Sequence, residues 1–167
     1  MTGDSLILTA WLDDSAFARF DELRRNYYPP GRNHVPAHLT LFRHLPGTGI
    51  DEIVRRLKAM ARGTKPMRAQ VAGVKNFGEA VAFRIDCNEL EALRDELAAA
   101  WAFWLLPQDR HFTPHITIQN KVAEREARVL HDALRAGFAP WSFMVNGLIL
   151  WRYLGGPWER LKEVRFR

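Results

Sequence analysis

Apolar residues along this chain recur first at every second position, then at helical spacing, and the changes of period mark out its elements. SLILTAWLD at 5–13 is an apolar run that predicts a first strand. An acidic start then opens a helix over roughly 14–27, with Phe17, Phe20, Leu23 and Tyr27 on one side. The PPGRN loop ends it, and Pro36 leads into a strand around His38. Ile50, Ile53, Val54, Leu57 and the Met60–Ala61 pair follow at amphipathic-helix spacing within 48–62. RAQVAGVKNF and EAVAFRIDC predict the two strands of a hairpin that turns at Asn76–Phe77–Gly78.

The same order then returns. Asn88, with Glu91 three residues on, predicts a capping box. It opens a helix whose apolar stripe is Leu90, Leu93, Leu97, Trp101 and Trp104, tryptophans that read as packing. A second histidine strand is expected around 114–119. A helix over about 123–136 turns Ala127, Leu130 and Leu134 inward and ends at Gly137. WSFMVNGLILWRY and WERLKEVRF close the chain as a strand pair around Gly155–Gly156–Pro157. His38 and His115 lie 77 positions apart, whereas Pro66 and Pro140, and Gly73 and Gly147, lie 74 apart. A three-residue length change in the intervening helix or loop reconciles these offsets. No stretch has the composition of a flexible linker, so 1–167 reads as a single bilobal domain made of two repeat lobes.

At the matching place in each copy stand a histidine, an apolar residue and a threonine: PAHLTLF around His38 and TPHITIQ around His115. Strand side chains alternate, so His38 and Thr40 share one face, as do His115 and Thr117, about 6.6 Å apart. Leu39, Leu41, Ile116 and Ile118 then point the other way, into a core. A single His-x-Thr arises by chance in many proteins and reads as a core or surface histidine. Two copies, both on apolar strands of an internal repeat, point to one site built from both halves.

Composition narrows the class. With 167 residues, 47% of them hydrophobic and 26% charged, the chain has the profile of a soluble globular protein. No apolar run approaches the roughly 20 residues needed to cross a bilayer. MTGDSLILTAW has no basic region before its short apolar stretch, so it reads as a first strand rather than a signal peptide. Cys87 is the lone cysteine, which excludes a disulfide framework and a thiolate metal cluster, and its place at a strand end suits a buried thiol. A cytoplasmic location is the resulting expectation. The formal charge of +5 admits an anionic partner, but a solvated surface explains the spread of arginines at least as well.

Two imidazoles facing one another suit phosphodiester cleavage by general acid–base catalysis. One, neutral, takes a proton from the attacking oxygen; the other, protonated, gives one to the departing oxygen. Thr40 and Thr117 can donate hydrogen bonds to non-bridging phosphate oxygens. His34 and His44 flank the first motif and His111 has no counterpart, so no zinc ligand set is completed and neither metal nor cofactor is expected.

HLTLF at 38–42 and HITIQ at 115–119 resemble the paired motifs of the 2H phosphoesterase superfamily, which includes the LigT-like RNA cyclic phosphodiesterases and the so-called 2′-5′ RNA ligases. The resemblance runs over essentially the whole chain and extends to the ending LWRYLGGPWERL at 150–161. It implies an α+β, bilobal, pseudo-two-fold fold in which two mainly antiparallel sheets face a central cleft with helices outside. It also implies a metal-independent cyclic phosphodiesterase that opens 2′,3′-cyclic phosphates of an RNA end or small nucleotide. His38 and His115 take the acid–base roles in that reading, and Thr40 and Thr117 the phosphate-binding roles. The reading from another class is an RNA-end or nucleotide-binding module with little turnover. A monomer without membrane association is expected.

Further candidates flank the motifs. Phe42 continues the His38–Thr40 face and Gln119 the His115–Thr117 face. Arg43 and Lys121 lie just past the two strands, where they could meet additional phosphates. Trp151 and Tyr153, two residues apart on the strand entering the last hairpin, would share a face and could line the cleft together.

Overall fold

Strand alternation sets the architecture from the first element. In the computed structural model, which describes residues 4–167, β1 (Ser5–Leu12) buries Leu6, Leu8, Ala10 and Leu12 in the main core. It turns Ile7 and Trp11 to the opposite face, where they pack with Ile149, Trp151 and Trp158. The remaining elements are α1 (Asp14–Tyr27), β2 (Thr40–Pro46), α2 (Ile50–Arg62), β3 (Met67–Asn76) and β4 (Val81–Asp86). After them come α3 (Asn88–Ala100), β5 (His115–Gln119), α4 (Glu124–Ala136), β6 (Trp141–Tyr153) and β7 (Trp158–Arg165). The class is α+β, as expected.

All strand pairs are antiparallel, in the order β2-β1-β6-β3-β4-β5, with β7 also on β6. β6 is long because its two ends serve different partners. Its start pairs with β3 from Trp141 to Val145; its continuation pairs with β1 on one side and β7 on the other. The two expected sheets thus meet in β6, which joins them into one hydrogen-bonded ladder.

The halves share one pairing scheme, bulge for bulge. β2 lies beside β1 and β5 beside β4, while β6 crosses to β1 and β3 to β4. Thr9 faces Thr40 and Leu8 faces Phe42, which leaves Leu41 as an extra residue on β2. Ala82 faces Thr117 and Val81 faces Gln119, which leaves Ile118 as an extra residue on β5. A second pair of irregularities matches as well: Leu12 with Val145 and Trp11 with Gly147 in one half, Ile85 with Val71 and Arg84 with Gly73 in the other. Each bulge re-aims the side chains that follow it.

The helices differ from expectation in detail. The buried line of α1 is Ala16, Phe20 and Arg24, with Phe20 set among Phe83, Trp141 and Phe143. Tyr27, expected inward, is 41% exposed because it lies off that i, i+4, i+8 line. Asn88 is the first residue of α3 and not its cap. Cys87, the residue after β4, is extended and holds the cap position without a side-chain hydrogen bond, so the capping box does not form. Trp101 caps the other end of α3, buried, and its indole N–H donates to Glu52 on α2 at 3.1 Å, while Trp104 lies beyond the helix in a 3-10 turn. Gly137 does cap α4. The Cys87 thiol is buried, which raises its pKa. Among the described residues, no helix is long and apolar enough to cross a membrane.

The matched bulge glycines give a paired test. A Cβ at Gly147 would overlap the Val164 carbonyl oxygen and approach the Trp11 ring, whereas one at Gly73 would meet only the Arg84 guanidinium, at 3.8 Å. Gly147→Ala should cost about 3 kcal/mol or more, because backbone must move, and Gly73→Ala less than about 1 kcal/mol. Denaturant unfolding of the two variants checks this.

Candidate active site

A proline stands just before each histidine, Pro36 two residues ahead of His38 and Pro114 next to His115. In each motif the carbonyl two residues upstream lies against the imidazole. His38 Nδ1 donates to the Pro36 carbonyl at 2.8 Å, and His115 Nδ1 donates to the Thr113 carbonyl at 2.7 Å. A carbonyl oxygen only accepts, so Nδ1 carries the hydrogen in both rings. In the neutral form, Nε2 is then the free acceptor. Both histidines are oriented and tautomerically set by the same local device.

A cleft of about 550 Å³ opens beside His38 and Thr40. Arg24, Arg32, Arg43 and Lys121 line it, with Tyr28, His34, His44, Tyr153 and Trp158, and among the described residues no carboxylate does. Trp158 packs its ring 4.6 Å from the His38 ring. Burial above all, together with the nearby charges of Arg24, His115 and Arg43, brings the pKa of His38 down to about 4, against the raising effect of the Pro36 carbonyl. His38 is neutral at pH 7. Lys121 is held in the left-handed region at φ 60°, a conformation that costs a non-glycine residue about 1 kcal/mol and occurs at functional loops.

Two buried arginines, neither singled out by sequence patterning, fasten the motif strands. Arg24 on α1 donates through Nε to Asn33 Oδ1 at 2.7 Å and the Val35 carbonyl at 3.0 Å. Through Nη1 it donates to the Thr117 carbonyl of β5, also at 3.0 Å. Arg94 on α3 mirrors it, donating through Nε to the Leu41 carbonyl of β2 at 3.1 Å and through Nη2 to the Asp109 carbonyl. Each guanidinium lies 4.0 Å over an aromatic ring, Tyr28 for Arg24 and Phe42 for Arg94. The buried Asp109 carboxylate accepts the backbone N–H groups of Arg43 and His44, both at 2.8 Å, which satisfies the outer edge of β2. A signal for these partners was present: Pro30 and Pro107 each open a 3-10 turn and share the 77-residue offset of the histidines.

The candidates separate as follows. His38, Thr40, Arg43, Lys121 and Tyr153 line the cleft. His115 and Thr117 lie on β5 outside that wall, with the His115 ring 5.6 Å from Phe77; Arg24 links Thr117 to the segment before His38. Phe42 does not continue the His38–Thr40 face: it is fully buried beneath Arg94 and Trp101. Gln119 is likewise buried. The matched bulges at Leu41 and Ile118 cause both departures, each turning the next side chain inward. Trp151 and Tyr153 also part company. Trp151 is buried, donates its indole N–H to Thr9 Oγ1 at 2.8 Å and borders a smaller cavity of about 290 Å³ that shares His38.

Comparison with known proteins bears on the family and the fold. The sequence model of the 2′-5′ RNA ligase superfamily matches residues 12–157. No curated protein sequence matches the chain. Among solved structures it is similar to TT0787 of Thermus thermophilus, at 21% identity over 98% of each chain and a TM-score of 0.69. Escherichia coli LigT complexed with 3′-AMP matches at 18% identity over 98% of each chain and a TM-score of 0.66. A structure described as a phosphoesterase matches at 18% identity over 98% of each chain and a TM-score of 0.67. These likenesses establish a shared fold.

Two stability measurements test the site. Arg24→Met orphans the Val35 and Thr117 carbonyls and should destabilise the protein by about 2–4 kcal/mol in denaturant unfolding. His38 binds its proton only near pH 4 when folded but near its ordinary 6.5 when unfolded, so acidification through that window favours unfolding. Wild type should therefore lose stability relative to His38→Gln between pH 6.5 and 4, and equal slopes would contradict the assignment.

Proposed function

The chain belongs to the 2′-5′ RNA ligase superfamily, and from that premise we propose that it is a metal-independent phosphoesterase opening a 2′,3′-cyclic phosphate on an RNA end or nucleotide. The observation that carries this reading is the matched pair of Nδ1–carbonyl hydrogen bonds, which presents two Nε2 atoms for proton transfer. The uniformly cationic cleft supports an anionic substrate, since a phosphodiester meets Arg43 and Lys121 there without an opposing carboxylate among the described residues.

In the proposed mechanism a water oxygen attacks phosphorus and His38, neutral, takes its proton through Nε2. Burial and the neighbouring arginines keep His38 unprotonated, the form that can accept a proton. The bond from phosphorus to one ribose oxygen breaks, and His115 in its imidazolium form gives that oxygen a proton. Thr40 and Thr117 donate hydrogen bonds to the non-bridging oxygens, where negative charge builds up.

Turnover of a 2′,3′-cyclic nucleotide by His38→Ala and by His115→Ala should each fall by about 10²-fold or more, with the double variant little worse than either. Full activity in one of them would refute a shared site. The acidic limb of kcat/KM should lie near pH 4, where His38 gains its proton. Arg43→Met removes a cation that lowers the His38 pKa, so it should move that limb to higher pH.

A further inference from the structure

Single exposed apolar side chains are ordinary on protein surfaces, but Phe77 is held in place by its surroundings. It sits at the tip of the β3–β4 hairpin, 48% exposed and outside the hydrophobic core. The tip is rigid. Gly78 takes φ +95°, its N–H donates to Asn76 Oδ1 at 2.8 Å, and the Phe77 N–H donates to the Ala80 carbonyl at 2.9 Å. The Phe77 ring lies 5.6 Å from the His115 ring, and the Lys75 ammonium stands 5.4 Å from its centroid. The other hairpin places Trp158 against His38 in the same manner, 4.6 Å away. Each histidine is thus flanked by an aromatic ring from a hairpin, but only Trp158 belongs to the cleft wall. A half-exposed aromatic ring with an ammonium group over one side is a combination that can hold single-stranded nucleic acid: a base stacks on the exposed part of the ring and a phosphate meets the cation.

We propose that Phe77 and Lys75 form a second nucleotide subsite, outside the cleft, that stacks the base next to the nucleotide carrying the reacting phosphate. This rests on the cyclic-phosphate reading above and adds a preference to it: a strand of at least two nucleotides over a mononucleotide. The ring supplies the stacking surface and Lys75 the partner for the intervening phosphate.

The test uses unreactive ligands, a dinucleotide and a mononucleotide each ending in a 3′-phosphate, with affinities from calorimetric titration. Wild type should bind the dinucleotide more tightly. Phe77→Ala should reduce the ratio of the two affinities by about 10-fold, within the range set by one base–aromatic stack. Phe77→Leu preserves apolar bulk beside His115 and should lose the ratio equally, whereas Phe77→Trp should keep it. Equal affinities in wild type, or a parallel loss for both ligands in Phe77→Ala, would overturn the subsite. Because no turnover is read, a ratio that behaves as expected supports the subsite even if wild type hydrolyses no cyclic phosphate, an outcome that would defeat only the catalytic reading.

Discussion

β2 and β5 stand at the two ends of the sheet, and each is held by a buried arginine of the opposite half. An open edge strand presents unpaired carbonyl and N–H groups that must find partners. Arg24 and Arg94 supply them with a group that is planar, permanently charged and able to bond several acceptors at once. A lysine at either place would offer a point charge on a flexible stem and could not span the Val35 and Thr117 carbonyls in one rigid geometry. Burying a guanidinium lowers its pKa, as at both residues, and the hydrogen bonds and aromatic faces beneath offset that cost. The halves are therefore joined at β2 and β5 as well as through β6.

This fastening has an electrostatic consequence. The guanidinium that ties β5 to the segment before His38 also lines the cleft, and its charge acts on His38. One residue thus secures the strands and helps keep a nearby imidazole neutral. Two motifs alike in sequence and in their Nδ1 bonds come to occupy unlike surroundings, with His38 packed against Trp158 beside the cationic cleft and His115 against a half-exposed phenylalanine. The backbone device is the same in both halves and the environment is not.

Much of the arrangement was legible in local pattern. The strands, the helices and the two His-x-Thr motifs follow from residues within a few positions of one another, and Leu39 and Ile116 are as buried as their alternation requires. The glycines at 73 and 147, which share one offset along the chain, occupy equivalent irregularities in the ladder. Phe42 and Gln119 depart from the pattern together and for one reason. A bulge adds a residue to one strand without altering its composition, so strict alternation carries two residues past the threonine to the wrong face.

The chain's own order of residues decided that each titratable ring would sit two positions before a strand threonine, His115 at the start of β5 and His38 just ahead of β2. Tertiary structure alone decided what surrounds each ring. Arg24 and Arg94 read as ordinary polar helix positions until β5 and β2 arrive beside them, 93 and 53 residues away along the chain. The neutrality of His38 and the burial of Phe42 depend on such distant partners. Burial and charge are properties of the space around a group, and that space is filled only when the halves close on one another.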